Sequence, residues 1–287
     1  MRRLKALGQK VLRRLEAGPT FASEDVRIGK NVRFGRNVVF HCEKVRIGDA
    51  VMFGDDVVVN ATTFEIGDYG TIYSHCFFPG PGDLVIGHNF WLGTAAIVDC
   101  KGGTHIGDNV GIGAHSQLWT HMAFGDVLAG CRFNSQRPLV IHEDVWFVGH
   151  CLVSPITAGA RSMALLGALV VGDMETDHTY GGAPAKDVTE RFGAQFKLTS
   201  TEERRANLQS RIEAFAGGTG DRRVLSRVRI ATDPGDLSEA SDGVTVFNVA
   251  DRTYSKNGTD LEQQLIRFLL PEAKFVPAPS RAKAPGS

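Results

Sequence analysis

Large apolar residues recur at every sixth position through most of this chain, and that period restricts the fold more than any other feature. Ile28, Phe34 and Phe40 open the series, followed by Ile47, Phe53 and Val59, then Ile66, Ile72 and Phe78. Ile86, Leu92 and Val98 continue it, then Ile106, Ile112 and Leu118, then Ile141, Phe147 and Val153. A weaker set stands at Ala158, Ala164 and Val170. Between triplets the step lengthens to 7, 7, 8, 8 and then 23 residues, so extra residues always enter at the same point of an 18-residue unit.

An amphipathic helix would show a 3.6-residue period, and helical repeats run to about 30 residues or more. A six-residue phase instead describes three short strands per unit, each ending in a turn, which together close one triangular coil. The marker residue points inward. Gly follows it at nine of the first eighteen positions, relieving the backbone where the chain turns. Such coils stack about 4.8 Å apart and bury their apolar faces only against neighbouring coils. The expected fold is therefore mainly β, a parallel β-helix of about seven coils over residues 21–190.

The flanks read differently. The stretch MRRLKALGQKVLRRLEAG predicts an amphipathic helix over residues 1–20, with Leu4, Leu7, Val11 and Leu15 on one face and six Lys or Arg around them. It fits a cap on the open end of the repeat, or contact with an anionic membrane surface. Residues 191–287 lose the phase and predict a small α/β module. Ser200 with Glu203, and Thr259 with Glu262, form capping boxes for two helices, the first ending at Gly217-Gly218 and the second closed by Pro271. VTVFNVA predicts a strand between them, and the tail VPAPSRAKAPGS reads as disordered. Packing, oligomer stabilisation and a lid all suit this module.

Composition removes some functions. Lys plus Arg and Asp plus Glu both number 32, so the chain lacks the positive excess of a nucleic-acid binder. No apolar run reaches the roughly 20 residues of a membrane span. Five cysteines, odd in number and without a CxxC pair, suit a reducing, cytoplasmic setting better than a disulfide framework.

The repeats IGDAV, IGDNV and LVIGHNFWLG, the stretch GARSMALLGALVVGD and the closing YGGAPAKDV together resemble the hexapeptide-repeat acyltransferases, in the branch that acetylates galactosides, maltose and xenobiotics. The resemblance covers roughly residues 26–190 and implies a left-handed β-helix assembled as a homotrimer. It also implies an acetyl-CoA or other acyl-CoA donor, no metal, and a small acceptor such as a sugar or nucleotide-linked sugar.

The 23-residue step between Leu118 and Ile141 is where chemistry is expected, because long loops on rigid scaffolds carry function. It opens with His121 in LWTHMAFGD, three residues past a marker and so expected to point outward. The resemblance makes His121 the general base, although Met122 stands where the family often has Pro. An imidazole with an ordinary pKa near 6.5 can take a proton from a hydroxyl or amine at neutral pH. Direct transfer then needs no Ser or Cys nucleophile.

Other residues carry two readings each. Asn89 matches a family asparagine that contacts the acceptor, and also suits an ordinary turn. Asp99 stands where Gly usually follows a marker, and fits an acceptor or histidine partner as well as a bond within its own turn. Trp119 and Trp91 fit sugar stacking or packing. Gly149, Gly167 and Ala168 correspond to small residues along the family's thioester groove, and Lys186 to a coenzyme A phosphate contact or a solvated cation.

Two further functional classes share the fold. A zinc lyase of the γ-carbonic anhydrase kind would draw on His75, His115 and His121, although the six-residue spacing of the last two departs from that class's five. A non-catalytic trimeric assembly module needs none of them.

Overall fold

The computed structural model describes residues 18–278, and the helix expected over residues 1–20 lies almost wholly outside them. The chain is mainly β and divides between Phe196 and Lys197 into two compact units.

In the first unit the six-residue markers pair with one another in register. Ile28, Ile47, Ile66, Ile86, Ile106, Ile141 and Ala158 form one parallel row across successive strands. Phe34, Phe53, Ile72, Leu92, Ile112, Phe147, Ala164 and Tyr180 form a second. The third carries Phe40, Val59 and Phe78, then Val98, Leu118, Val153 and Val170. The strands Val39–Ile47 and Val58–Ile66 run through a corner without a break. They join the first and third rows into one 13-stranded sheet that curls beside the 9-stranded second.

The core lies inside that curl. Phe40, Phe64, Phe78, Phe90 and Phe147 are all at most 1% exposed. Each large side chain buried this way contributes about 1.5–3 kcal/mol. Phe21 stacks on Phe40 at 4.8 Å, and Phe53 meets Phe40 edge-on at 5.4 Å. A second inward series stands four residues past the markers, at Val51, Val57, Phe90, Ala96, Val110, Val145 and Cys151.

Two corners use a left-handed residue three places past the marker. At the first corner these are Asn31, Ala50, Tyr69, Asn89, Asn109, Asp144 and Arg161, and at the second Asn37, Asp56, His75, Ala95, His115 and His150. Asn and Asp tolerate that backbone better than other side chains, which explains their frequency. The two corners differ in direction. Ala50, Tyr69, Asn89, Asn109 and Asp144 are buried, whereas His75, His115 and His150 are exposed. Position past the marker therefore does not by itself make a side chain face outward.

The second unit holds the helix Thr201–Thr219, whose capping box at Ser200 and Glu203 is complete. The helix runs through Gly217-Gly218 and stops at Gly220, the first left-handed residue (φ +70°). Two glycines only weaken a helix by about 1 kcal/mol each; a left-handed backbone ends it. Val228–Ala231, Thr245–Asn248, Thr253–Tyr254 and Val276–Pro277 form a four-stranded sheet. The start of the tail is thus ordered, since Thr253–Tyr254 pairs with Val276–Pro277. The helix Asp260–Leu269 is capped at Thr259, but only half of the expected box forms. The buried Glu262 carboxylate turns instead to the Thr245 hydroxyl and the Asn257 and Gly258 N–H groups.

Candidate functional site

Two successive rungs of the third row build the site. Asp99 follows the marker Val98, and its N–H donates to the Leu118 carbonyl of the next rung at 2.9 Å. Trp119, Thr120 and His121 leave from that next rung, so the excursion starts directly beside Asp99.

Asp99 is wholly buried, a costly place for a charge unless it is well bonded. Its Oδ2 accepts from the Thr120 N–H at 2.8 Å and the Thr120 hydroxyl at 2.5 Å, and lies 2.7 Å from His121 Nδ1. Its Oδ1 accepts from the Lys101 N–H at 3.2 Å. Burial pushes the Asp99 carboxyl pKa up. The hydrogen bonds from Thr120, His121 and Lys101 together outweigh burial and hold it below the ordinary carboxylate value. The group is therefore an anion at neutral pH, able only to accept. It follows that His121 Nδ1 carries a hydrogen, so in the neutral ring the lone pair is on Nε2. The His121 side chain is 25% exposed, so it is held from below and open above.

The excursion is anchored where it leaves. His121–Ala123 pairs antiparallel with Asn134–Gln136, with His121 opposite Gln136. The Arg137 N–H donates to the Thr120 carbonyl, the Gly102 N–H to the Thr120 hydroxyl, and the Gln136 amide to the Lys101 carbonyl, each at 2.9 Å. Farther out, Phe124, Leu128 and Phe133 are strongly exposed. Thr120 was not singled out from the sequence, yet it ties the carboxylate to the loop. Its place directly before the candidate histidine was the available signal.

The remaining expected site residues scatter. The Trp119 ring lies 6.4 Å from that of His121 at 65°, and its indole N–H donates to Gln117 Oε1 at 3.3 Å. Asn89 is 3% exposed and left-handed, with its amide donating to Asn109 Oδ1 at 2.8 Å, so the structure places it in the turn stack. Ala168 belongs to the inward series four past a marker and is fully buried, so it lines the core rather than a groove. Gly149 is buried too, because Leu166 leans over it, with Cδ1 3.4 Å from the place a Cβ would take. Gly167 is exposed. Lys186 is exposed on the strand Ala185–Asp187, opposite Gly181 in the closing hairpin.

The histidines of the zinc reading are engaged separately. His75 Nδ1 lies 3.5 Å from Asp56, His115 stacks on His150, and His121 bonds Asp99. Among the described residues of the chain, no three His, Cys, Asp or Glu side chains gather so as to hold a metal ion.

No protein-family model and no curated protein matches this chain. Solved structures do. A maltose O-acetyltransferase from Clostridium difficile 630 is 19% identical, with 63% of this chain and 72% of that one covered at a TM-score of 0.33. A hexapeptide-repeat acetyltransferase from Vibrio cholerae O1 biovar eltor, complexed with acetyl coenzyme A, is 17% identical over 64% and 76% of the two chains at 0.28. A galactoside acetyltransferase in complex with coenzyme A is 15% identical over 63% and 74% at 0.26. These structures are acetyltransferases of the kind that the sequence motifs resemble.

Proposed function

We propose that this chain is a coenzyme A-dependent acyltransferase, most simply an acetyltransferase, that acylates a hydroxyl or amine of a sugar or nucleotide-linked sugar. The observation that carries the reading is the His121–Asp99 pair, standing where a long excursion leaves an otherwise regular repeat. A buried anion beneath a half-open imidazole fixes the tautomer that a general base needs.

In this reading His121 Nε2 takes the proton of the acceptor hydroxyl or amine as that atom attacks the thioester carbonyl. The new C–O or C–N bond forms, the C–S bond breaks, and the imidazolium returns the proton to the departing sulfur. Asp99 stays ionised throughout and acts as the positioning residue. A base so placed contributes about 10²–10⁴-fold in rate.

The same proposal takes the curled parallel sheet as a left-handed β-helix of about seven coils, assembled as a trimer of identical chains in the cytoplasm. The unit that starts at Lys197, six residues later than the boundary expected at 191, forms the accessory module. Among the described residues no helix is long and apolar enough to cross a membrane. Trp119 lies close enough to His121 to meet an acceptor ring, and Lys186 is free to meet a donor phosphate.

The test is release of free thiol from acetyl-CoA in the presence of a panel of amino sugars, oligosaccharides and nucleotide-linked sugars. His121→Ala should drop release to background while the chain still unfolds cooperatively on heating. An undiminished rate in that variant would remove the proposal.

A further inference from the structure

The left-handed residues of the second corner form a column of side chains, one per rung: Asn37, Asp56, His75, Ala95, His115, His150 and Gly167. Its last three members are unlike the rest. The imidazoles of His115 and His150 stack at 4.9 Å with planes 29° apart. Both are exposed, and their backbones are pinned by N–H bonds to the Thr94 and Ala114 carbonyls. Neither ring hydrogen-bonds to a side chain or carbonyl among the described residues, in contrast to His121 and His178.

The rung after His150 is Gly167, at φ +74°, and a Cβ built there would meet nothing within 4 Å. The column therefore continues with a gap one rung tall, about 4.8 Å. Leu166, 67% exposed and leaning over Gly149, supplies an apolar lip to that gap. The closing hairpin stands over the same turn. A Cβ at Gly181 would lie 3.1 Å from Leu165 Cδ1, and Gly181 pairs with Lys186.

A metal ion suits this pair poorly. Chelation needs two ring nitrogens converging on one point about 2.0–2.1 Å from each, whereas stacked rings hold their nitrogens side by side. What a stacked imidazole with an empty rung beside it does accept is another flat π surface, which would extend the stack by one member.

We propose that His150 is a donor-binding residue, with His115 behind it as a positioning residue, and that the face of His150 takes a flat π group of coenzyme A at the Gly167 rung. This rests on the acyltransferase reading, and two parts of that donor offer the chemistry: the adenine ring and the amide planes of the pantetheine arm. His115 and His121 are six residues apart along one rung, at most about 20 Å of extended chain. One extended donor thus spans from the His150 face to the base.

The experiment is calorimetric binding of coenzyme A, pantetheine and adenosine 3′,5′-bisphosphate to the full chain and its variants, with thermal unfolding as a folding control. Loss of a base–aromatic stack weakens binding by about 5- to 150-fold, and His150→Ala should weaken coenzyme A by that factor. His150→Phe should retain affinity, and His115→Ala should show a smaller loss. A loss carried over to pantetheine identifies the amide, and one carried over to the bisphosphate identifies the adenine. Unchanged coenzyme A affinity in His150→Ala, or an equal loss in His150→Phe, overturns the proposal. A wild-type chain that binds no coenzyme A overturns the acyltransferase reading itself.

Discussion

His121 Nδ1 stands 2.7 Å from an Asp99 carboxylate that is wholly buried, while the imidazole keeps 25% of its side chain exposed. The pair joins a rigid rung to the first residues of a long loop, so the carboxylate fixes both the orientation and the tautomer of the ring. Asp99→Asn keeps the shape and removes the charge. Its one amide oxygen can still face Thr120 and His121, but its NH2 would then meet the Lys101 N–H that Oδ1 accepts from, and the imidazole loses its anionic partner. Under the proposed acyl transfer the base is worth about 10²–10⁴-fold, so losing its orientation should lower kcat by about 10- to 100-fold. The KM for acetyl-CoA should hardly move, because a wholly buried Asp99 offers no surface to a ligand. A raised KM with unchanged kcat would mean that Asp99 serves binding instead.

His178 and Asp187 make a second, exposed pair, 2.6 Å apart at the closing hairpin. The Asp187 hydrogen bond raises the His178 pKa above 6.5, helped by Asp187, Glu175 and Asp177 charges nearby. Thr189, through side chain and backbone, lowers Asp187 to about 2, with His178 adding to it. A raised histidine contributes stability that is complete below its unfolded pKa and lost as pH rises through the folded one. A lowered carboxylate contributes above its unfolded pKa and loses that as pH falls toward 2. The stability difference between wild type and His178→Ala should therefore be largest between about pH 4 and 6.5 and shrink on either side. Melting temperatures across pH 3–9 check it; a flat difference would mean the contact carries no proton linkage.

The fold of the first unit was legible because one period controls it. Every marker from Ile28 to Val170 is a residue whose neighbours lie one coil away, and the register rows join these markers to one another. Direction at the corners was less legible. His115 and Asn109 both stand three past a marker, yet one is exposed and the other buried, because the two corners turn their left-handed residues differently. The resemblance set Ala168 along a groove, but its place four past Ala164 sends its side chain inward. The role of Glu262 depends on a tertiary partner, Thr245, which no local pattern reveals. At the site, His121 was marked by the excursion, whereas choosing the histidine among the partners open to Asp99, 22 residues earlier, needed the stacking of rungs.

Glu262 should prove the keystone of the second unit. It is 3% exposed and accepts from the Thr245 hydroxyl at 2.6 Å and from the Asn257 and Gly258 N–H groups at 2.9 Å. Ala in its place would strand three donors, each costing about 1–3 kcal/mol when buried without a partner. Glu262→Ala should destabilise that unit by about 3 kcal/mol or more, with Glu262→Gln intermediate. Denaturant unfolding followed by hydrogen exchange in residues 197–278 measures it. A loss below about 1 kcal/mol would show that water replaces the carboxylate.

The thiols should separate sharply by reactivity, since the thiolate is the reactive form. Cys42, Cys76, Cys100 and Cys151 are buried and Cys131 is only partly covered. Burial pushes Cys76 up to about 11 and Cys100 up to about 12. Cys100 Sγ is also in contact with the Gly80 carbonyl at 2.9 Å and the Pro79 carbonyl at 3.3 Å, which fixes it in the coil wall. Iodoacetamide at pH 8 should therefore modify one site quickly in the native protein, on the excursion that carries His121, and all five after denaturation. Cys131→Ser should abolish the fast phase. Peptide mass spectrometry identifies the labelled residue, and modification of Cys100 at a comparable rate would mean that the coil opens on the labelling timescale.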